Sequence, residues 1–325
     1  MTATVEGLTE AGLGEVVAEA LGAPVTISGL QRLAGGASRE VWAFDATDSA
    51  GTRRRLILLT DPAGEQRGSG AAFEASVIRA VRSVGVPAPE VIAVADRVAG
   101  LPGGGLILQR LDGETVPRRI LDRLAADATG ARLARQCGTA MGRLHTVDPD
   151  SLPDLPEENR LVNYRQTLDR LDPQRPVLEL AYGWLRERQP AQRRTTVVHG
   201  DFRLGNIVVD GDGLVGVLDW ESAHRGDPLE DLGWIAVRSW RFHGPGVIGG
   251  FGDRSEFLDA YRAASGVDVP DADFEWALVL GTWIWAVGCL QQADRHLSGV
   301  TRSIDLALVG RRVVEVERDL LDLLG

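Results

Sequence analysis

The stretch from Val197 to Glu221 constrains this chain more than any other. It reads Val197-Val198-His199-Gly200-Asp201-Phe202-Arg203-Leu204-Gly205-Asn206-Ile207-Val208-Val209, then, after Asp210-Gly211-Asp212-Gly213, Val215-Gly216-Val217-Leu218-Asp219-Trp220-Glu221. An apolar strand enters a polar loop that carries an aspartate and, five residues on, an asparagine. Strand character resumes at Ile207, the Asp-Gly-Asp-Gly run supplies a hairpin turn, and the next apolar run ends in another carboxylate. Such a hairpin brings Asn206 and Asp219 towards the same end of a strand pair, with Asp201 nearby. Single Asp and Asn residues in loops are ordinarily turn formers. Three of them gathered at one end of a ribbon suit phosphoryl transfer instead. A carboxylate can orient an acceptor hydroxyl and take its proton, while an amide oxygen and a second carboxylate hold magnesium on a triphosphate.

The elements around this island change character along the chain. Leu8 to Leu21 and Ala71 to Val84 repeat apolar residues at helical spacing. Thr26 to Leu33, Glu40 to Asp45, Arg54 to Leu59, Val91 to Ala95 and Gly105 to Leu111 read as strands. Beyond Gly113 helical patterns take over, at Arg118 to Ala126, Ala131 to Leu144, Tyr164 to Arg188, Ser255 to Ala264, Asp273 to His296 and Ile304 to Leu324. The expectation is an α+β chain of two lobes. A five-stranded N-terminal lobe with a packed helix spans residues 1–111, and a mostly helical C-terminal lobe with the catalytic loop and acceptor site spans 112–325. Asp112-Gly113 is the expected hinge.

Composition narrows the partners. The 325 residues, 44% hydrophobic and 25% charged, can bury a substantial core. A net charge of −11 argues against a nucleic-acid partner, which calls for a basic footprint. The sequence holds no lysine, so any fixed cation that grips phosphate must be arginine. Cys137 and Cys289 lack metal-like spacing and read as reduced, buried thiols. Met1 to Glu10 carries no basic residue leading into an apolar run, and no segment reads as a membrane span, since Phe274 to Leu290 suits a buried helix. The expected setting is cytoplasmic, with no membrane partner; oligomeric state leaves no mark in the sequence.

His199-Gly200-Asp201, then Asn206, then Leu218-Asp219-Trp220-Glu221, followed by Gly226-Asp227-Pro228 and Asp231-Leu232-Gly233-Trp234, resembles the signature of the aminoglycoside phosphotransferase and choline kinase-like family. The resemblance implies a bilobal protein-kinase-like fold and an ATP-dependent enzyme that moves the γ-phosphoryl group to an alcohol group of a small molecule. GTP stays open as the donor. It implies Asp201 as catalytic base, Asn206 and Asp219 as Mg2+ ligands, and Asp227 and Asp231 as braces and caps. Leu33 to Glu40, with Gly35, Gly36, Ala37 and Ser38, resembles the family's nucleotide loop, where small residues let backbone N–H groups approach phosphates. Glu74 falls where kinases place a helix glutamate, and Gln109 to Glu114, with Leu111, resembles the linker that meets the base. His145 fits a structural Leu-His pair, and Trp240, Arg241 and Phe242 fall where the family's acceptor cleft tends to lie.

One departure stands out. Relatives place Lys or Arg near the end of the third strand, but this strand reads Arg54-Arg55-Leu56-Ile57-Leu58-Leu59-Thr60, with Leu59 in that place. Arg55, on the same face by alternation, is one candidate replacement and Arg39 beside the small-residue loop is another. The third reading is a non-catalytic, nucleotide-binding pseudokinase. Arg203 either faces the γ-phosphate or pairs with a loop carboxylate. Arg118 and Arg119 read as nucleotide contacts or solvated helix charges, His224 and His243 as pocket residues, and His296 as exposed. Trp276, Trp283 and Ile284 read as core, while Trp285 lies on another face.

Overall fold

The computed structural model describes residues 8–33, 39–60, 70–95, 105–171, 174–191 and 194–325. Chain contacts divide it into two units, Met1–Gly113 with Val215–Ser222, and Glu114–Leu214 with Ala223–Gly325.

The first unit begins with α1 (Glu10–Leu21), whose end is capped by Thr9 accepting the Gly12 N–H at 3.1 Å. Five strands follow: β1 (Val25–Leu33), β2 (Glu40–Asp48), β3 (Arg53–Thr60), β4 (Val91–Ala95) and β5 (Gly105–Gln109), with α2 (Gly70–Ser83) between β3 and β4. They form one antiparallel sheet in the order β1-β2-β3-β5-β4. Alternation sends Trp42, Phe44, Leu56, Leu58 and Ile107 to one face, where Leu13 and Val17 of α1 complete the core. Helix α2 packs on β4, β5 and the short turn Trp220–Ser222. Two helices, rather than the one expected, therefore pack against this sheet.

The second unit is mostly helical: α3 (Pro117–Asp127), α4 (Gly130–Leu144), α5 (Arg160–Leu171), α6 (Pro176–Glu187), α7 (Leu229–Trp234), α8 (Arg254–Ser265), α9 (Asp271–Leu297), α10 (Ile304–Arg311) and α11 (Val313–Leu324). Short strands β6 (Thr196–Val198), β7 (Ile207–Val209) and β9 (His224–Gly226) lie in this unit, whereas β8 (Leu214–Val217) falls almost wholly in the first; β6 pairs with β9, and after β7 the chain turns where the Asp210 N–H donates to the Gly213 carbonyl at 2.9 Å.

Two expected helices are split. Tyr164 to Arg188 becomes α5 and α6, because Pro176 at the start of α6 has no N–H to continue a preceding helix. Ile304 to Leu324 becomes α10 and α11, parted at Arg312; both segments pack on α9, and Gly310 lies against Ala293 of that helix. On length and composition alone α9 could cross a bilayer, contrary to the sequence reading. Here it is a core helix whose Trp276 and Trp283 are buried and donate their indole N–H groups to the Leu185 and Leu178 carbonyls at 2.9 and 3.0 Å. Ile284 is buried beside them, and Cys137 and Cys289 are free, buried thiols.

Helices α4 and α8 approach closely because glycine lines their contact. A Cβ on Gly138 would stand 2.2 Å from the Phe257 carbonyl oxygen, a backbone atom that cannot step aside. Gly138→Ala is therefore expected to lower stability by about 1–3 kcal/mol through overpacking, read as a drop in the thermal unfolding midpoint.

Candidate active site

The loop that carries Asp201 belongs to the helical unit. After β6 the backbone turns at Gly200, whose φ of 83° lies in the left-handed region that glycine adopts without a Cβ clash. This turn aims two successive N–H groups at one carboxylate: Asp231 Oδ2 accepts from His199 N at 2.8 Å and Oδ1 from Gly200 N at 2.9 Å. The Gly200 carbonyl in turn accepts from the buried Arg160 guanidinium at 2.8 Å. The Asp201 N–H donates to His199 Nδ1 at 3.1 Å, which makes that ring nitrogen an acceptor. His199 is thus a part of the loop's framework.

The Asp201 side chain is 23% exposed and receives three donors. Trp234 Nε1 and Arg203 Nε reach Oδ1 at 2.7 and 2.9 Å, and Asn206 Nδ2 reaches Oδ2 at 2.6 Å. Because Asn206 spends its amide nitrogen on the Asp201 carboxylate and carbonyl, its own carbonyl oxygen is the group left to meet a cation. Arg203 pairs with a loop carboxylate, as one of its two readings had it, and its guanidinium also covers the Trp240 ring at 4.7 Å. Trp234, Trp240 and Trp285 form an aromatic cluster, with Trp240 and Trp285 centroids 4.5 Å apart.

Asp231 is fully buried, and His145 Nε2 lies 3.2 Å from its Oδ2. The other nitrogen of His145 meets the Tyr261 hydroxyl of α8 at 3.0 Å. Burial by itself would raise the Asp231 carboxyl. The hydrogen bond and charge of His145, with the charge and N–H of His199, outweigh it and hold the group at about 2. Asp227 accepts the Leu229 N–H at 3.0 Å at the start of α7. Both aspartates therefore serve as brace and cap. His224 is buried against Glu230 at 2.9 Å, and His296 is half-buried rather than exposed, its Nδ1 accepting the Ser303 N–H at 3.1 Å.

In the sheet-bearing unit, Asp219 follows β8 with a φ of 65°, an uncommon backbone state for a residue with a side chain. Glu74 of α2 is buried and forms an ion pair with Arg39. Arg39 Nε also lies 3.4 Å from Glu221 Oε2. Leu59 is half-buried opposite Val41 and Leu106. Arg55 stands four residues back on β3, about 13 Å away at strand rise, and pairs with Asp112. Gln109 is exposed at the end of β5, where its backbone N–H donates to the Glu90 carbonyl at 2.8 Å. Leu111 packs on Gly216. Gly35, Gly36, Ala37 and Ser38 lie outside the described residues.

Arg118 and Arg119 are exposed and pair with Asp122 and Glu114, as solvated helix charges do. Sequence reasoning missed Arg160 and Tyr261, which hold the loop from positions far along the chain; no spacing signal marks either. Among the described residues, no group of three or more His, Cys, Asp or Glu could hold a metal by itself.

The chain matches the model of the phosphotransferase enzyme family, APH, over residues 29–277, and it belongs to that family. It is 26% identical to mouse acyl-CoA dehydrogenase family member 10 over 214 residues, which is 62% of this chain and 20% of that protein. The chain thus spans about a fifth of the length of that curated relative. Among solved structures, a Ralstonia eutropha JMP134 protein provisionally described as an aminoglycoside phosphotransferase aligns at a TM-score of 0.74 and 17% identity, covering 97% of this chain and 98% of that one. A choline/ethanolamine kinase family protein from Mesorhizobium loti aligns at 0.63 and 20%, covering 90% and 88%. The GDP complex of aminoglycoside 2'-phosphotransferase-IIIa aligns at 0.65 and 12%, covering 96% and 99%. These likenesses show the protein-kinase-like α+β fold.

Removing the Asp231 carboxylate strands two buried N–H groups and His145. Asp231→Ala is expected to cost about 3–5 kcal/mol, the range for breaking a buried charged pair, measured by denaturant unfolding. Its depressed titration adds a pH signature. The unfolded carboxyl binds a proton near pH 3.9, whereas the folded one resists until about 2. The stabilisation is therefore complete above roughly pH 4 and fades as pH falls towards 2, so wild type should lose more stability than Asp231→Ala across that window.

Proposed function

We propose that this chain transfers the γ-phosphoryl group of ATP to a hydroxyl of a small molecule, with Asp201 as base and Asn206 and Asp219 as magnesium ligands. The observation that carries this reading is the fixed Asp201 carboxylate, held by Trp234, Arg203 and Asn206 yet still partly open to solvent. Such a carboxylate can accept a hydrogen bond from an incoming hydroxyl without reorganising, which is where most of the rate gain in phosphoryl transfer arises. As the acceptor oxygen bonds to the γ-phosphorus and the bond to the departing ADP breaks, Asp201 takes the hydroxyl proton.

Asn206 and Asp219 would offer a hard divalent cation one amide oxygen and one carboxylate, a donor set that suits magnesium. When bound, magnesium neutralises charge on the β- and γ-phosphoryl oxygens. Asn206 contributes in two ways, steadying Asp201 through its nitrogen and offering its oxygen to the ion. GTP remains a competing donor, since recognition of the base through backbone atoms near Gln109 and Leu111 leaves no side-chain trace. A cytoplasmic setting accords with two free, buried thiols.

The family's acceptors are various, and the names of the structural neighbours include aminoglycosides, choline and ethanolamine. The decisive experiment follows ATP consumption over a panel of aminoglycosides, amino alcohols, sugars and hydroxyacyl compounds. Wild type should turn over at least one class. Asp201→Asn should lose about 10²–10⁴-fold in kcat, the share of a positioned general base, while binding Mg·ATP within a few-fold of wild type. Undiminished turnover by Asp201→Asn would remove Asp201 from the chemistry. Failure of wild type to bind Mg·ATP at all would remove the phosphotransferase reading.

A further inference from the structure

Near its end the third strand carries Leu59 where a phosphate-gripping cation is expected, yet the helix glutamate has a cationic partner. Glu74 has only 2% of its side chain exposed, and a carboxylate so buried requires a counter-charge. That partner is Arg39, itself 9% exposed, which engages Glu74 through Nη1 and approaches Glu221 through Nε. From this geometry we infer that Arg39 takes over the work of the missing strand cation: it holds Glu74 and grips a phosphate of the bound nucleotide from the loop side. This rests on the phosphotransferase reading above.

Strand register explains why Arg39 can do so. Val41 lies directly across from Leu59, and Arg39 stands two residues ahead of Val41, so the two approach the same part of the sheet from neighbouring strands. Leu59 supplies an apolar surface there and no charge. The three arginines of β3 stand together at its other end, where Arg53 pairs with Asp45 and Arg55 with Asp112, so none takes the place of Leu59.

The residue type matters as well. A lysine offers one compact charge, whereas a guanidinium presents five N–H donors in a planar fork. One arginine can therefore hold a helix carboxylate and a phosphate oxygen at once. Its contact with Glu221 adds a second tie, because Glu221 lies two residues beyond Asp219. The cation, the helix glutamate and the segment bearing a proposed metal ligand are thereby linked by one side chain.

The test separates nucleotide grip from mere structural pairing. Calorimetric binding of Mg·AMP-PNP is measured for wild type, Arg39→Met, Arg39→Lys and Arg39→Met combined with Leu59→Arg, each checked for folding by circular dichroism and thermal melting. Arg39→Met should bind about 10–100-fold more weakly, the loss expected for one charge-assisted contact. Arg39→Lys should fall between, and the added Leu59→Arg should recover most of the lost affinity by returning a cation from the strand. Should Arg39→Met not fold, Arg39→Gln takes its place in the same comparison. Nucleotide affinity equal to wild type in the folded Arg39 variant overturns the inference, as does a double variant that binds no better than the single one. Both results differ from a wild type that binds no nucleotide, which would sink the underlying reading first.

Discussion

The helical unit is organised around a single buried carboxylate. Asp231 accepts the N–H groups of two consecutive residues, His199 and Gly200, and this is feasible only because Gly200 adopts a left-handed backbone. Without that acceptor both donors would be buried unpaired, a cost of the order of a kcal/mol or more each. The same carboxylate meets His145, the residue that ends α4, and His145 reaches Tyr261 of α8. Helices α4 and α8 are in turn locked by close glycine contacts. The placement of the Asp201 backbone is therefore tied to the packing of α4 against α8.

Helix α7 serves this arrangement twice. Asp231 and Trp234 stand three residues apart and so share one helix face. Asp231 steadies the loop backbone, and Trp234 donates to the Asp201 carboxylate at 2.7 Å. A short helix of six residues, anchored by Gly233 against the α9 backbone, thus supplies both the brace for the main chain and a donor for the side chain. The rotation of α7 fixes the two together.

A chain without lysine places unusual demands on arginine. Arg160 is buried, donates to the Gly200 carbonyl and forms an ion pair with Glu230, 3.5 Å away. Arg203 pairs with Asp201 while stacking over Trp240. Arg39 lies between Glu74 and Glu221. Each uses the flat, multi-donor guanidinium to satisfy two neighbours at once, which a single ammonium point charge does less well.

What could be read from the sequence was whatever is encoded within a short span. The five strands, the hairpin with its Asp-Gly turn, and the loop bearing Asp201 and Asn206 all announce themselves by alternation, turn residues and spacing of a few positions. Local pattern also misled: apolar periodicity ran through Pro176 and Arg312, where packing against α9 and the missing proline N–H divide the helices. Tertiary structure alone decided the long-range partners. That Arg160 would hold Gly200, that His145 would meet Asp231 and Tyr261, and that Arg39 would answer Glu74 across 35 positions depend on which surfaces meet when the elements pack. A buried charge takes the partner that folding brings within reach, and the distance between the two along the chain carries no trace of that choice.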